Sequence, residues 1–204
     1  MRELGISVLD ELIGQLARLP GIGQKTAQRL AIFILKSSDG YAQELAQAIL
    51  NVKQKTRLCK RCFNVAEDEL CAICSDPRRD AHKICVVEDI VDVLAIEETH
   101  TYRGLYHVLG GVISPLAGVN PEDLNIRSLI ERVKNEPIEE VILALNPSTE
   151  AETTIIYITR LLKDMEVQIS RLASGVPMGA HLEYLDGATI GMAIQSRQKI
   201  SKDT

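Results

Sequence analysis

No stretch of this chain approaches the roughly 18 consecutive apolar residues that a membrane span requires, so a bilayer-crossing helix is not expected. The opening residues, MRELGISVLDELIG, carry charges throughout and lack the apolar centre of a secretory leader, which makes the cytoplasm the expected compartment. There is no internal repeat and no low-complexity tract, and these absences argue against a solenoid or a disordered array. No G-x-x-x-x-G-K-[ST] loop is present to cradle nucleotide phosphates. The nearest glycine-containing segment, SGVPMG at 174–179, has no lysine, and no ATPase activity is expected.

With 204 residues, 46% of them hydrophobic, the chain can build one large domain or two small ones. Its formal net charge of -5 is unevenly shared. Residues 1–62 carry ten Lys or Arg against five Asp or Glu, and residues 63–204 carry thirteen against twenty-three. This asymmetry suits a head that meets a polyanion and a body that meets something else, although solvated helical faces would show the same bias.

Apolar positions Val8, Leu9, Leu12, Leu16 and Leu19 recur at helical spacing and predict a first helix that Pro20 and Gly21 end. A second helix is expected over 24–35, with Ala27, Leu30, Ala31 and Ile34 inward, then a break at 37–40 and a third helix over 41–52. From residue 53 to 80 the apolar residues are too sparse for an independent core. Beyond it, 84–88, 106–111, 141–145 and 167–173 read as strands of a mainly parallel sheet. Helix-compatible segments at 89–98, 126–134 and 151–164 alternate with them, so the fold class is mixed α/β.

CKRCFNVAEDELCAIC sets Cys59 and Cys62 two residues apart, leaves an eight-residue gap, and repeats the pair at Cys71 and Cys74. Two facing C-x-x-C turns supply the tetrahedral four-sulfur cage that Zn²⁺ accepts, whereas two disulfides would need an oxidising compartment. Four protein ligands leave no open position for water, so a single zinc per chain would be structural. His82 is a weaker competitor for the metal, and Cys85, inside the apolar run ICVV, reads as a core residue. His100 and His107 read as surface or locally hydrogen-bonded residues.

LPGIGQKTAQRLA, residues 19–31, joins two helices through Gly21 and Gly23. Such a turn places backbone N–H groups at the start of the second helix, where the helix dipole favours a phosphate. Lys25 and Arg29, four residues apart, share a helical face and can reach adjacent phosphates. An ordinary helical turn with two solvated cations would look alike on spacing alone. The stretch resembles the helix-hairpin-helix element of repair proteins, which binds DNA without sequence preference.

Two further pieces, CVVE at 85–88 and VILALNPSTEAE at 141–152, resemble the signature segments of the Toprim domain of topoisomerases, primases and nucleases. In catalytic members a glutamate and an Asp-x-Asp pair hold Mg²⁺. Here Glu88 matches the glutamate, but Asn146 and Ser148 stand in place of the aspartates, and two of the charges that would hold the ion are gone. Glu150 and Glu152 fall on the expected first turn of a helix, where they can cap it or form an acidic contact surface with Glu88.

In order, helix-hairpin-helix, four-cysteine element, degenerate Toprim segment and the tail VPMGAHLEYLD resemble the bacterial RecR recombination mediator family over nearly the whole chain. The implied domains are 1–54, 55–80, 81–175 and 176–204. The resemblance implies a protein without enzymatic activity of its own, acting with RecO and RecF to load RecA onto single-stranded gaps. It implies single- and double-stranded DNA as partners, with Gly21, Gly23, Lys25 and Arg29 facing DNA and Glu88, Glu150 and Glu152 facing RecO. It further implies a homo-oligomer, commonly a ring tetramer, and a nucleoid-associated place in the cytoplasm. The tail departs from the family pattern, because His181 precedes Leu182, Glu183 and Tyr184 where an acidic residue is usual. A closing helix near 189–197 is expected to pack at a subunit interface. The alternative is a metal-dependent nuclease or topoisomerase-like enzyme using Glu88, Glu150 and Glu152.

Overall fold

The computed structural model describes residues 7–173 and 175–197, which fall into two compact units divided between Thr56 and Arg57. The last part of the expected tail, 198–204, lies outside the described residues. The first unit is helical: α1 (Ser7–Leu16), α2 (Gln24–Lys36) and α3 (Asp39–Lys55). Ile13, Ala27 and Ala31 form its buried centre, with Leu9, Leu12, Leu16 and Ile22 packed around them. Ala27 and Ala31 lie one turn apart and let α1 and α2 approach closely; a larger side chain there would overpack the contact at a cost of about 1–3 kcal/mol.

The inward face of α1 is set by Leu9, Leu12, Ile13 and Leu16, an i, i+3, i+4, i+7 stripe. Val8 and Leu19, expected on that stripe, are 75% and 51% exposed, because Val8 falls outside its arc and Leu19 lies in the turn beyond the end of α1 at Leu16; Ile13, not singled out by the spacing, is the buried residue of the stripe. The expected break at 37–40 is shorter than predicted. Ser38 caps α3 by accepting a hydrogen bond from the Tyr41 N–H, which draws Asp39 and Gly40 into the helix.

The second unit opens with the short antiparallel pair β1 (Arg57–Leu58) and β2 (Val65–Ala66), followed by the single-turn α4 (Ala72–Ser75). A doubly covered sheet follows, made of β3 (Asp80–Val87), α5 (Ile90–Glu98), β4 (Gly104–Val108), α6 (Ile126–Asn135), β5 (Glu140–Leu143), α7 (Thr149–Leu162) and β6 (Gln168–Arg171). The last helix among the described residues is α8 (Gly187–Gln195). All four long-sheet strands are parallel, in the order β4-β3-β5-β6.

Alternation along β3 divides the core. Ile84 and Val86 point to the face covered by Leu129 of α6 and by Ile158 and Leu162 of α7, while Cys85 and Val87 meet Val93 of α5 on the other face. Burial pushes the Cys85 thiol up to about 12, which fits its expected role as an inert core residue.

The short β1–β2 segment and α4 are docked on the outer side of β4. The Val108 N–H donates to the Cys62 carbonyl at 2.8 Å, and Phe63 sets its ring edge-on to His107 with centroids 5.4 Å apart. Arg61 and Arg132 both donate to the carboxylate of Glu136, Arg61 Nη2 at 2.8 Å and Arg132 Nε at 3.2 Å. Burial opposes ionisation of Glu136, but the Arg61 hydrogen bond and the Arg132 charge prevail and hold its pKa below the usual carboxylate range. His107 is wholly buried: its Nε2–H donates to the Asn125 carbonyl and Nδ1 accepts from Arg132. Burial, then the Arg132 charge, pushes its imidazole down to about 4, so it remains neutral.

Glu136 therefore ties the cysteine-rich segment to the sheet. Glu136→Ala is expected to lower stability by roughly 3 kcal/mol in urea unfolding, because Arg132 is left buried without its carboxylate. Glu136→Gln, which keeps an acceptor, should lose less.

Candidate nucleic-acid interface and metal centre

The turn after α1 closes through two backbone bonds, Leu19 N–H to the Leu16 carbonyl and Ile22 N–H to the Leu19 carbonyl. Gly21 has φ +77°, a left-handed conformation that glycine adopts at little cost. Gly23 serves differently: its φ is -79°, and it is the N-cap of α2 with no side chain accepting from the helix. A Cβ built on Gly23 meets nothing within 4 Å, so the position stands open and the first N–H groups of α2 face outward without a capping side chain. Lys25 and Arg29 are exposed on that helix, and neither has an ion-pair partner among the described residues. The same helix end thus offers unpaired donors, the positive end of the dipole and two free cations.

Cys59 and Cys62 sit on a knuckle between β1 and β2, closed by the Cys59 N–H donating to the Asn64 carbonyl at 2.7 Å. Phe63 adopts φ +63° directly after it, a conformation costly for a bulky residue, which its contact with His107 helps offset. Cys71 is the N-cap of the single-turn α4, and Cys74 lies within that turn. All four sulfurs are buried and lie within 4.8 Å of one another, with Cys62 and Cys71 3.6 Å apart. Zn–S bonds of about 2.3 Å in a tetrahedron imply S···S edges of about 3.8 Å. The donor set therefore fits one structural zinc.

Without a cation the buried thiols share one another's protons: hydrogen bonds from Cys62 and Cys74 favour Cys71 as a thiolate, the bond with Cys71 pushes Cys62 up, and the bonds with Cys62 and then Cys71 push Cys74 up. A cation at the centre is what would let all four ionise together. His82 does not join them: its Nδ1 lies 3.2 Å from Glu139.

At the carboxyl ends of β3 and β5 the connections leave toward opposite faces, α5 on one side and α7 on the other, which is where open parallel sheets form ligand crevices. Glu88 follows β3 and its Oε1 accepts from the Asn146 N–H at 2.6 Å, spanning this point. Ser148 is the N-cap of α7, its Oγ accepting from Ala151 N–H at 3.0 Å. Glu150 and Glu152 do fall in the first turn of α7. Glu152 is held by Arg171, at the end of β6, with Nη1 3.0 and 3.2 Å from its two oxygens. Sequence reasoning missed Arg171, because nothing in QISR distinguishes its arginine from any solvated one. It likewise read Ser148 only as a lost metal ligand and not as a cap. A cavity of about 390 Å³ lies alongside, lined by Leu145, Asn146, Glu152, Arg171 and, from the tail, Thr189 and Met192.

A helix-hairpin-helix unit, a four-cysteine metal site and a Toprim-type sheet together define a zinc-containing, DNA-binding protein of recombination and repair. Family matches follow that layout: the Toprim domain over residues 82–173, the RecR helix-hairpin-helix over 9–53, the RecR four-cysteine zinc finger domain over 56–76 and the RecR C-terminal segment over 175–198. Among similar proteins, "Recombination protein RecR" of Cutibacterium acnes is 55% identical over 93% of this chain and 94% of its own. Proteins of the same name from Chloroflexus aggregans and Anaeromyxobacter dehalogenans are 54% and 52% identical, covering 93% and 94% of this chain and 92% and 97% of their own. The chain belongs to the RecR family of recombination proteins. Among the described residues no helix is long and apolar enough to cross a membrane.

Metal analysis of protein purified without chelators should find one zinc per chain. Cys71→Ser, or stripping the metal with a strong chelator, should lower the melting temperature and speed hydrogen exchange at the Val108 amide, which is bonded to the Cys62 carbonyl.

Proposed function

We propose that this protein is a non-enzymatic recombination mediator that binds single- and double-stranded DNA through α2 and acts with RecO and RecF to promote loading of RecA at single-stranded gaps. The observation that carries the DNA-binding part is the start of α2, where Gly21 and Gly23 leave the helix open to a phosphate and Lys25 and Arg29 lie free on its surface. Phosphate contacts of this kind position DNA without reading its sequence, as a mediator acting at arbitrary gaps requires. The names of the relatives, recombination proteins and not enzymes, support the same reading. The protein works in the cytoplasm, associated with the nucleoid.

Glu88, Glu150 and Glu152 form the surface that meets RecO, and α7 directs two of these carboxylates outward from its first turn. Assembly into a homo-oligomer, a ring tetramer, is supported by α3, which has no buried residue and exposes Tyr41, Leu45, Ile49 and Val52 along one side. Val8, Phe33 and Leu35 extend that apolar surface within the same unit. A ring would multiply the few cations of each chain around bound DNA.

Fluorescence anisotropy of labelled single-stranded and duplex DNA across a salt series tests the DNA contact. Lys25→Ala/Arg29→Ala should weaken binding and flatten the salt slope by about 1.4–1.8 for each chain engaged, from two lost phosphate contacts. Unchanged affinity and slope would reassign the turn to folding or assembly. Ile49→Glu on the α3 stripe should shift the mass measured by light scattering toward the monomer, and an unaltered mass would remove α3 from the interface.

A further inference from the structure

The Toprim fold brings with it the expectation of a divalent cation at the carboxyl ends of β3 and β5, and the donors here do not fit one. Glu88 directs Oε1 to the Asn146 N–H, and Ser148 turns its hydroxyl oxygen toward the α7 backbone. The Asn146 side chain is a neutral amide. Among the described residues, the four cysteines are the group of His, Cys, Asp or Glu side chains whose ligand atoms converge; Glu88, Glu150 and Glu152 do not form another. Mg²⁺ and Mn²⁺ need several oxygen ligands, preferably anionic, around one point.

We propose that Arg171 is the resident counter-ion of this site and that its guanidinium, held on Glu152, excludes a divalent cation. The geometry is that of a carboxylate already neutralised: one guanidinium nitrogen faces both oxygens of Glu152, and it is supplied by the neighbouring strand of the same sheet. Glu152 projects from the first turn of α7, where the helix dipole also favours negative charge, so it has two sources of stabilisation without a metal. A cation arriving beside Glu152 would meet the Arg171 charge on the same carboxylate. The side chains of Arg171 and Glu152 remain 53% and 55% exposed, so the repulsion is screened and of moderate size.

Introducing the two aspartates with Arg171 present or absent separates the two parts of the proposal. Mn²⁺ binding is read by electron paramagnetic resonance on zinc-loaded protein, with thermal melting to confirm that each variant is folded. The wild type should leave millimolar Mn²⁺ free. Asn146→Asp/Ser148→Asp should bind Mn²⁺ weakly, and the same pair with Arg171→Gln should bind it about tenfold more tightly, the scale expected for removing one nearby screened charge. Arg171→Lys added to the same pair should retain the weak affinity, because it keeps the charge and changes only the shape. Saturable binding by the wild type would overturn the exclusion. Equal affinity with and without the Arg171 charge, or no binding by any variant, would overturn the role given to Arg171.

Discussion

Four sulfurs confined to one buried pocket cannot all be thiolates unless a cation lies among them, and the Cys59–Cys62–Cys71–Cys74 cluster imposes that constraint on the second unit. The knuckle it stabilises presents two things to β4, the Cys62 carbonyl to the Val108 amide and the Phe63 ring to His107, and one to the end of α6, the Arg61 guanidinium to Glu136. Each is a short reach from a cysteine. Glu136 also holds Arg132, which donates to the Tyr106 carbonyl and to His107, so the metal site and the buried polar layer under α6 share one carboxylate. The outer edge of β4, an unpaired strand edge in a bare sheet of this order, is covered by the same docking.

The crevice at the carboxyl ends of β3 and β5 is organised by local polar pairs. Where catalytic Toprim sites gather charge, this chain satisfies its polar groups locally: an amide N–H holds Glu88, a serine caps α7, and an arginine holds Glu152. The loss of the Asp-x-Asp pair is thus more than a deletion, because Ser148 caps a helix and needs no second ligand to do so. Glu88, Glu150 and Glu152 accordingly do not converge on one point as a set of cation ligands would.

The two groups of candidate functional residues in the first unit obey different rules. Gly21 is required by its backbone conformation, whereas Gly23 is useful because no side chain stands over the open N-terminus of α2. Lys25 and Arg29 follow from their spacing on the helix, and α3 follows from the lack of any core to bury it within its own unit.

Much of this was legible in the chain. Spacing alone located the cysteine cage, because metal ligation needs pairs on tight turns, and local periodicity located every strand of the long sheet and the helices between them. Gly21, Gly23, Lys25 and Arg29 lie within nine residues, so their relation is fixed by one turn and one helix. What the sequence could not reveal are pairings across long separations: Arg61 with Glu136, Phe63 with His107, Glu88 with Asn146 and Arg171 with Glu152. A charge or ring carries no mark of its partner until strand order and helix packing bring the two together. Local chemistry, set by spacing of a few residues, was therefore determined by the sequence itself, while the neutralisation of buried and clustered charges was decided by the tertiary structure, since it depends on distance in space.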